Sequence, residues 1–533
     1  MDKIVKYSVN LLTLSCVLYF LLTIPSYWIA YPDSGYYLGT AESLITYSQY
    51  WFNGLPNLLY YPGVTTLLLI PTFLGENNYW FLQAFVTLIT LSSLFFILKI
   101  FPIHKYGILG SLTVLLLCFS SIFTLSIHPI LSDGIFLTSV FSTLYCCFLF
   151  ERTGKYKLLY LAACLAAIAA MIRFQGLFLC GAVVLAGMWF EFEKNKTNFR
   201  RVIYLGTLVA FIALTPFIIW TIRNYYYFTP DAFNMASQKF FGLNGMSLYA
   251  PGLPGNVNSD WVNADWKYKI YRPTYFFGEL VDSFIGQVSL STKLLLTPIL
   301  GLFFLTGLPK WIAKASKVEI VFIALSVGFI LQDLLLQNSL YVLARYWLPI
   351  LPHYLLISSL GILFFYERIK TNKFSKHAFQ ALSVVLFLSF TIASLQNFTH
   401  FRKSESIYKN IGLTLEQLAE FTEKNIPSDA VVGTNDWGVL PRTINRRSVP
   451  ILNDVNHART MLRLMKYSTT YLVLLNKFDR SGKPALEMVA KFPNIFDKIY
   501  AIDSSHAYAD ASVYKIDQEL LLAQVKSMSA SSQ

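Results

Sequence analysis

Apolar runs of about 20 residues, the length that crosses a bilayer as a helix, recur along the first four hundred positions. They lie near 7–30, 79–100, 107–126, 131–150, 157–172, 176–190, 202–221, 291–309, 318–337, 346–366 and 378–397. The fifth and sixth are short and meet at Arg173. From position 398 onward the pattern changes: a helix-like stretch, "SESIYKNIGLTLEQLAEFTEKN", precedes short β-type runs ("AVVGT", "TYLVLL", "IYAID", "SVYKI") broken by polar turns. The pattern predicts an all-α polytopic membrane protein of about eleven transmembrane helices over 1–397, followed by a small α/β domain over 398–533.

Composition agrees. Charged residues are 14% of the 533 and hydrophobic ones 55%, against roughly 25% charged in a typical soluble domain. That excludes a disordered chain and an ordinary cytoplasmic enzyme. The net charge of +13 falls in short stretches between spans ("DKIVK", "KIFPIHK", "ERTGKYK", "EKNKTNFRR", "KWIAKASK", "YERIKTNKFSKH"), while residues 31–78 hold no Lys or Arg. Basic loops stay in the cytoplasm. The amino terminus is therefore expected inside, and loops 31–78 and 222–290 and the tail outside. The charge reads as topology signal with anionic-lipid contact, and no nucleic-acid partner is expected. All six cysteines lie in apolar runs, without the spacing of a metal site or a disulfide framework. The first run lacks a small-x-small cleavage site and reads as an uncleaved span.

Polar chemistry gathers at the expected outer ends. Asp33 follows the first span in "YPDSGYYLGTAESL", with Tyr36 and Tyr37 just after it. A carboxylate beside apolar walls and water serves as a general base or a metal ligand; a solvated helix cap is the plainer alternative. "LLYYPGVTTLLLIPTFLG", which holds Tyr61, reads as an interfacial helix. His128 and Asp133 stand in "SIHPILSDGIF", Arg173 and Gln175 in "MIRFQGLF", Arg223 after the seventh span, Arg345 before the tenth and Lys239 in the large loop. An arginine at membrane depth costs about 2.5–3.5 kcal/mol on insertion scales, so it has a partner or a task; snorkelling to head groups is the simpler task. Arginines suit a phosphate, aromatics a sugar face or isoprenoid tail, and a carboxylate an acceptor hydroxyl. A lipid-linked phosphosugar fits that set.

In order and topology over residues 7–400 the chain resembles the GT-C glycosyltransferases. Its pattern is similar to the protein O-mannosyltransferase and lipid A aminoarabinose transferase group and to the bacterial RgtA/B/C/D-like domain. The resemblance rests on "PDSGYY", "YYPGVTTLLLIPTFLG", "LSDGIFL", "IRFQGL", "PFIIWTIRNYYYF" and "ARYWLPILP", with "NIPSDAVVGTNDWGVL" in the tail. It implies an inverting transferase of the inner membrane that uses a polyprenyl-phosphate sugar, with a lipid, glycan or protein acceptor. Asp33 would be the catalytic residue and Arg345 would recognise the donor phosphate. Arg223, Arg173, Tyr36, Tyr37, Tyr61, His128, Asp133, Gln175 and Lys239 complete the expected substrate site. Many such enzymes carry two adjacent acids in the first loop; here Ser34 follows Asp33, which leaves a divalent cation open. No phosphate-binding glycine loop is seen, so no nucleotide or redox cofactor is expected. A flippase or transporter of lipid-linked saccharides, or a polymerase or ligase, is the alternative. A transporter would need polar residues at mid-membrane; apart from Gln332 and Asp333 the runs are apolar there.

Overall fold

A computed structural model describes residues 2–52, 55–57, 60–75, 78–194, 198–227, 290–336, 348–369, 377, 407–436, 438–451, 457–475, 482–503 and 510–530. The run 378–397, Lys239 and Arg345 lie outside them, as do the side chains of Gln332 and Asp333.

The helices follow the apolar runs, with ends set by local chemistry. α1 (Asp2–Leu22) stops short of the expected 7–30. Thr23 turns its hydroxyl back onto the Tyr19 carbonyl at 2.8 Å, and Pro25 follows. The non-helical strand beyond is buried at Trp28, Ile29 and Ala30. Its backbone needs partners, and Gln83 supplies them. The Gln83 Nε2 donates to the Pro25 and Tyr27 carbonyls, both at 2.9 Å, and its Oε1 accepts from the Ile29 N–H at 3.3 Å. Gln83→Leu should orphan these groups at about 1–3 kcal/mol each. A lowered thermal midpoint of the purified protein, with faster exchange of amides 25–31, is the expected result.

α2 (Pro32–Tyr47) follows, then a two-residue hairpin of β1 (Trp51–Phe52) and β2 (Leu55–Pro56), α3 (Pro62–Gly75) and α4 (Tyr79–Ile100). After α5 (Ile103–Tyr106), the expected span 107–126 is two helices, α6 (Leu109–Phe119) and α7 (Ser121–Ile127). Ser120 breaks them apart, since its extended backbone caps α7 through the Phe123 N–H at 3.4 Å. α8 (Ser132–Thr153) runs through the centre and is buried along most of its length. It packs on α4 and on α9 (Tyr156–Ile172), which also meets α10 (Gly176–Lys194) and α11 (Phe199–Tyr226). The break between α9 and α10 falls at Arg173, as the sequence predicts. α12 (Leu290–Ile312), α13 (Lys317–Leu336) and α14 (Leu351–Ile369) complete the described part of the membrane region.

Among the described residues four helices are long and apolar enough to cross a membrane: Tyr79–Ile100, Ser132–Thr153, Gly176–Lys194 and Phe199–Asn224. Bare Leu11, Leu18, Leu88, Phe95, Phe211 and Ile222 give the bundle an apolar exterior suited to lipid.

Beyond α15 (407–425) lies a five-stranded mixed sheet in the order β4-β3-β5-β7-β6. β3 (Val431–Thr434) pairs in parallel with β4 (Arg447–Pro450) and β5 (Tyr471–Leu475). β7 (Ala511–Ile516) runs antiparallel to β5 and to β6 (Phe496–Ile502). α16 (Val439–Ile444), α17 (His457–Lys466), α18 (Gly482–Lys491) and α19 (Gln518–Ala530) join and flank the strands. One face has its own core around Met461, Leu472, Met488 and Phe496. The other does not: Ile411, Leu415, Val432, Val439 and Leu440 belong to the same apolar cluster as the membrane helices. The tail is thus packed onto the bundle.

Candidate active site

Asp33 stands in the first turn of α2, half-buried. It is not the cap: Tyr31 holds that position with extended backbone, and Pro32 follows at the first helical place. The Tyr60 hydroxyl donates to the Asp33 Oδ1 at 2.8 Å. Ser34, at the place where many GT-C enzymes carry a second acid, is fully buried. Its Oγ bonds the Tyr31 N–H at 3.1 Å and carbonyl at 2.6 Å and accepts from the Trp28 Nε1 at 3.0 Å. A carboxylate there would meet the carbonyl without a proton to share, so serine suits the place.

Aromatic rings wall Asp33 on one side. Tyr36 lies 4.1 Å from Phe52 and 4.9 Å from Tyr60, and Tyr37 meets Tyr60 edge-on at 5.2 Å. Burial, and after it the Asp436 and Asp33 carboxylates, pushes the Tyr36 phenol above its ordinary range. Asp436, from the segment after β3, therefore acts on the same side chain as Asp33.

Three residues beyond Tyr60, Gly63 meets the end of α9: a methyl added there would stand 2.6 Å from the Met171 carbonyl oxygen. Three residues span about 10 Å at most, so α3 ties Asp33 to the α9–α10 break. There Arg173 pairs with Asp133, in the first turn of α8. Asp133 is 1% exposed and Arg173 10%. A carboxylate at a helix amino terminus meets a favourable dipole, and the guanidinium supplies the opposite charge that burial demands. Gln175 stands two residues on, its Oε1 buried without a hydrogen-bond partner among the described residues. Tyr61, Phe217 and Phe174 form a row of rings beside the pair, at 6.0 and 6.5 Å.

Other expected site residues have structural work. Both ring nitrogens of buried His128 meet hydroxyls, Thr23 at 3.3 Å and Thr87 at 3.2 Å, which fastens α1 and α4 to the turn before α8. Arg223 donates to the Asn57 and Tyr50 carbonyls at 2.9 and 3.0 Å and lies over the rings of Trp220, Tyr50 and Tyr227. It pins the hairpin to the end of α11.

The tenth span is described from residue 348 onward. His353, in the first turn of α14, is 3.3 Å from Glu319 and packs on Phe101, Phe141 and Trp311. Phe101 closes α4 at its far end from Tyr79, so His353 stands away from Asp33. Buried Glu319 and His353, with Ser316, also form a second polar group in the bundle, where the sequence suggests polar residues at one face alone.

The sequence reading missed the tail's part in the site. Arg442 of α16 reaches Glu42 of α2 at 2.6 Å and the Tyr79 hydroxyl at 3.0 Å, beside the rings of Trp28 and Tyr79. Trp28 and Tyr79 stack with an interplanar angle of 6°. The Tyr408 hydroxyl bonds that of Tyr31 at 3.0 Å. Among the described residues no group of three or more His, Cys, Asp and Glu side chains is placed to hold a metal ion.

Comparison with known proteins adds to this geometry. Residues 62–220, from α3 to α11, match the family model described as dolichyl-phosphate-mannose-protein mannosyltransferase. The fold resembles the crystal structure of ArnT from Cupriavidus metallidurans in the apo state. The TM-score is 0.57 at 12% identity, over 96% of this chain and 98% of that one. ArnT bound to undecaprenyl phosphate gives 0.55 at 12% identity, over 95% and 97%. The archaeal oligosaccharyltransferase AglB from Archaeoglobus fulgidus, in complex with an inhibitory peptide and a dolichol-phosphate, gives 0.52 at 11% identity, over 96% and 75%. No curated protein matches the sequence. The GT-C resemblance read from the sequence is present in the fold.

Proposed function

We infer that this chain, built on the GT-C fold, is an inverting glycosyltransferase that takes a monosaccharide, hexose or pentose, from a polyprenyl phosphate. The observation that carries the reading is the half-buried Asp33 carboxylate in the first turn of α2, hydrogen-bonded by Tyr60, at the same end of the bundle as the Asp133–Arg173 pair. The undecaprenyl phosphate bound to ArnT and the dolichol-phosphate in the AglB complex support a lipid-phosphate donor. The chain sits in the bacterial inner membrane with about eleven spans over 1–397. Its amino terminus is cytoplasmic, and segment 398–533 is an extracytoplasmic α/β unit over the site.

The step follows from the groups present. An acceptor hydroxyl oxygen attacks the anomeric carbon while Asp33 takes its proton. The bond from that carbon to the phosphate oxygen breaks, and both electrons leave on the polyprenyl phosphate. Attack opposite the leaving group inverts the centre. Arg173, at the same end of the bundle, is the guanidinium assigned to receive that charge, and the row of Tyr61, Phe217 and Phe174 suits the first isoprene units. Arg345 and Lys239 carry no step here. Glu319 and His353 lie beside Phe101, away from Asp33, which favours one-sided chemistry over a conducting path.

The test is transfer by the purified full chain from labelled polyprenyl-phosphate sugars, with acceptors found by mass spectrometry of envelope lipids, glycans and proteins from a deletion strain and its parent. One envelope component should lose one sugar in the deletion strain, and the purified chain should restore it from the lipid-phosphate donor. An unchanged envelope together with no turnover of any such donor would overturn the reading.

A further inference from the structure

Residues 438–442 pack directly on α2. α2 lies against them at Gly35, two residues after Asp33: a methyl there would stand 2.2 Å from the Gly438 carbonyl oxygen and 2.8 Å from the Val439 nitrogen. Backbone meets backbone, so neither side yields by turning a side chain. The segment is itself held rigid. Asn435 bonds both the N–H and the carbonyl of Leu475 at the end of β5, at 3.0 and 2.8 Å. The buried Asp436 Oδ1 accepts from the backbone N–H groups of Gly438, Val439 and Leu440 at 3.0, 2.5 and 3.0 Å. Burial holds the Asp436 carboxyl above its usual range against the pull of those donors. Arg442 then closes the contact. It is 8% exposed, lies against the stacked pair of Trp28 and Tyr79, and grips Glu42 two turns beyond Gly35.

We propose that residues 438–442 of the tail, capped by Asp436, are part of the catalytic apparatus: they clamp the first turns of α2 and so set Asp33, with Asp436 and Arg442 as positioning residues. This rests on the assignment of Asp33 as the base. Its physical ground is that the base must meet the acceptor proton within hydrogen-bond reach, and a displacement near 1 Å costs about a hundredfold in rate. The start of α2 is tied by the Ser34 hydroxyl to Tyr31 and Trp28, and Asp33 itself by Tyr60. The tail supplies a backbone stop at Gly35 and a charged grip at Glu42, on one helix face.

The test uses the purified full chain and three variants. Arg442→Gln removes the charge but keeps a donor. Arg442→Lys restores the charge without the planar fork. Gly35→Ala leaves every tail residue in place and drives a methyl into the Gly438 carbonyl. Alanine is the better helix former, so lost activity in Gly35→Ala cannot come from a weaker α2. Two readouts are taken: hydrogen–deuterium exchange over 32–47, which needs no substrate, and kcat against donor KM. Arg442→Gln and Gly35→Ala should speed exchange over 32–47 while the rest of the bundle keeps its protection. Both should lower kcat by about tenfold to a hundredfold with donor KM held within about twofold. Arg442→Lys should recover part of kcat. Unchanged exchange in both variants, or faster exchange with full kcat, would overturn the clamp. If Arg442→Gln does not fold, Gly35→Ala decides alone. Should the wild-type chain turn over no lipid-phosphate sugar, the functional reading fails and the exchange experiment still decides whether the clamp exists.

Discussion

Asp33→Asn is expected to end transfer with little change in folding. The amide keeps the shape of the side chain, and its oxygen can still accept the Tyr60 hydroxyl that now bonds Asp33 at 2.8 Å. What it loses is the capacity to take a proton, and a positioned general base is worth about 10²–10⁴-fold in rate. Asp33→Glu keeps the base but moves it by a methylene, so it should retain a small part of the activity. Single-turnover assays with saturating donor isolate the chemical step, and thermal melting of the same preparations checks the fold. A purified Asp33→Asn protein with normal turnover would remove Asp33 from the mechanism and leave its Tyr60 bond as a structural tie.

Much of this architecture could be read from the chain because hydropathy acts locally. Runs such as 79–100 and 131–150 must be helices in lipid, since no other form satisfies their backbone there, and the break at Arg173 is written as a charged residue between two short runs. The position of Asp33 was legible for the same reason, as a carboxylate next to a span and beside paired tyrosines. The residues that support it were not. Glu42 and Arg442 lie 400 positions apart, and nothing in either neighbourhood names the other. Gln83 sits in an apolar run, where it reads as one tolerated polar residue; its use depends on how the strand 25–31 folds back. His128 and Arg223 stand at the mouths of spans, which is all that the sequence says of them. Their partners, two threonine hydroxyls and two backbone carbonyls, carry no charge and leave no mark in the sequence. Glu319 and His353 were hidden for a related reason: alternation of basic loops predicts sides of a membrane, but not which side chains meet inside the bundle.

The second large effect is expected at the Asp133–Arg173 pair, where stability and catalysis can be separated. Arg173→Met keeps the side-chain volume but leaves the Asp133 carboxylate, 1% exposed, without its counter-charge. Breaking a buried pair in this way costs about 3–5 kcal/mol, chiefly because one charge stays behind in a poor solvent. The variant should therefore lose most of its folded yield. Removing both charges should cost much less, so Asp133→Asn combined with Arg173→Gln should regain most of the stability through a neutral hydrogen-bonded pair. That double variant is the informative one. If Arg173 receives the charge of the departing phosphate, the double variant folds and transfers poorly, with the deficit in kcat/KM for the lipid-phosphate donor. Melting temperature and kcat/KM measured on one preparation give both answers. A double variant as active as the wild type would reduce the pair to a tie between α8 and the α9–α10 break, and the leaving-group charge would have to be met by another group.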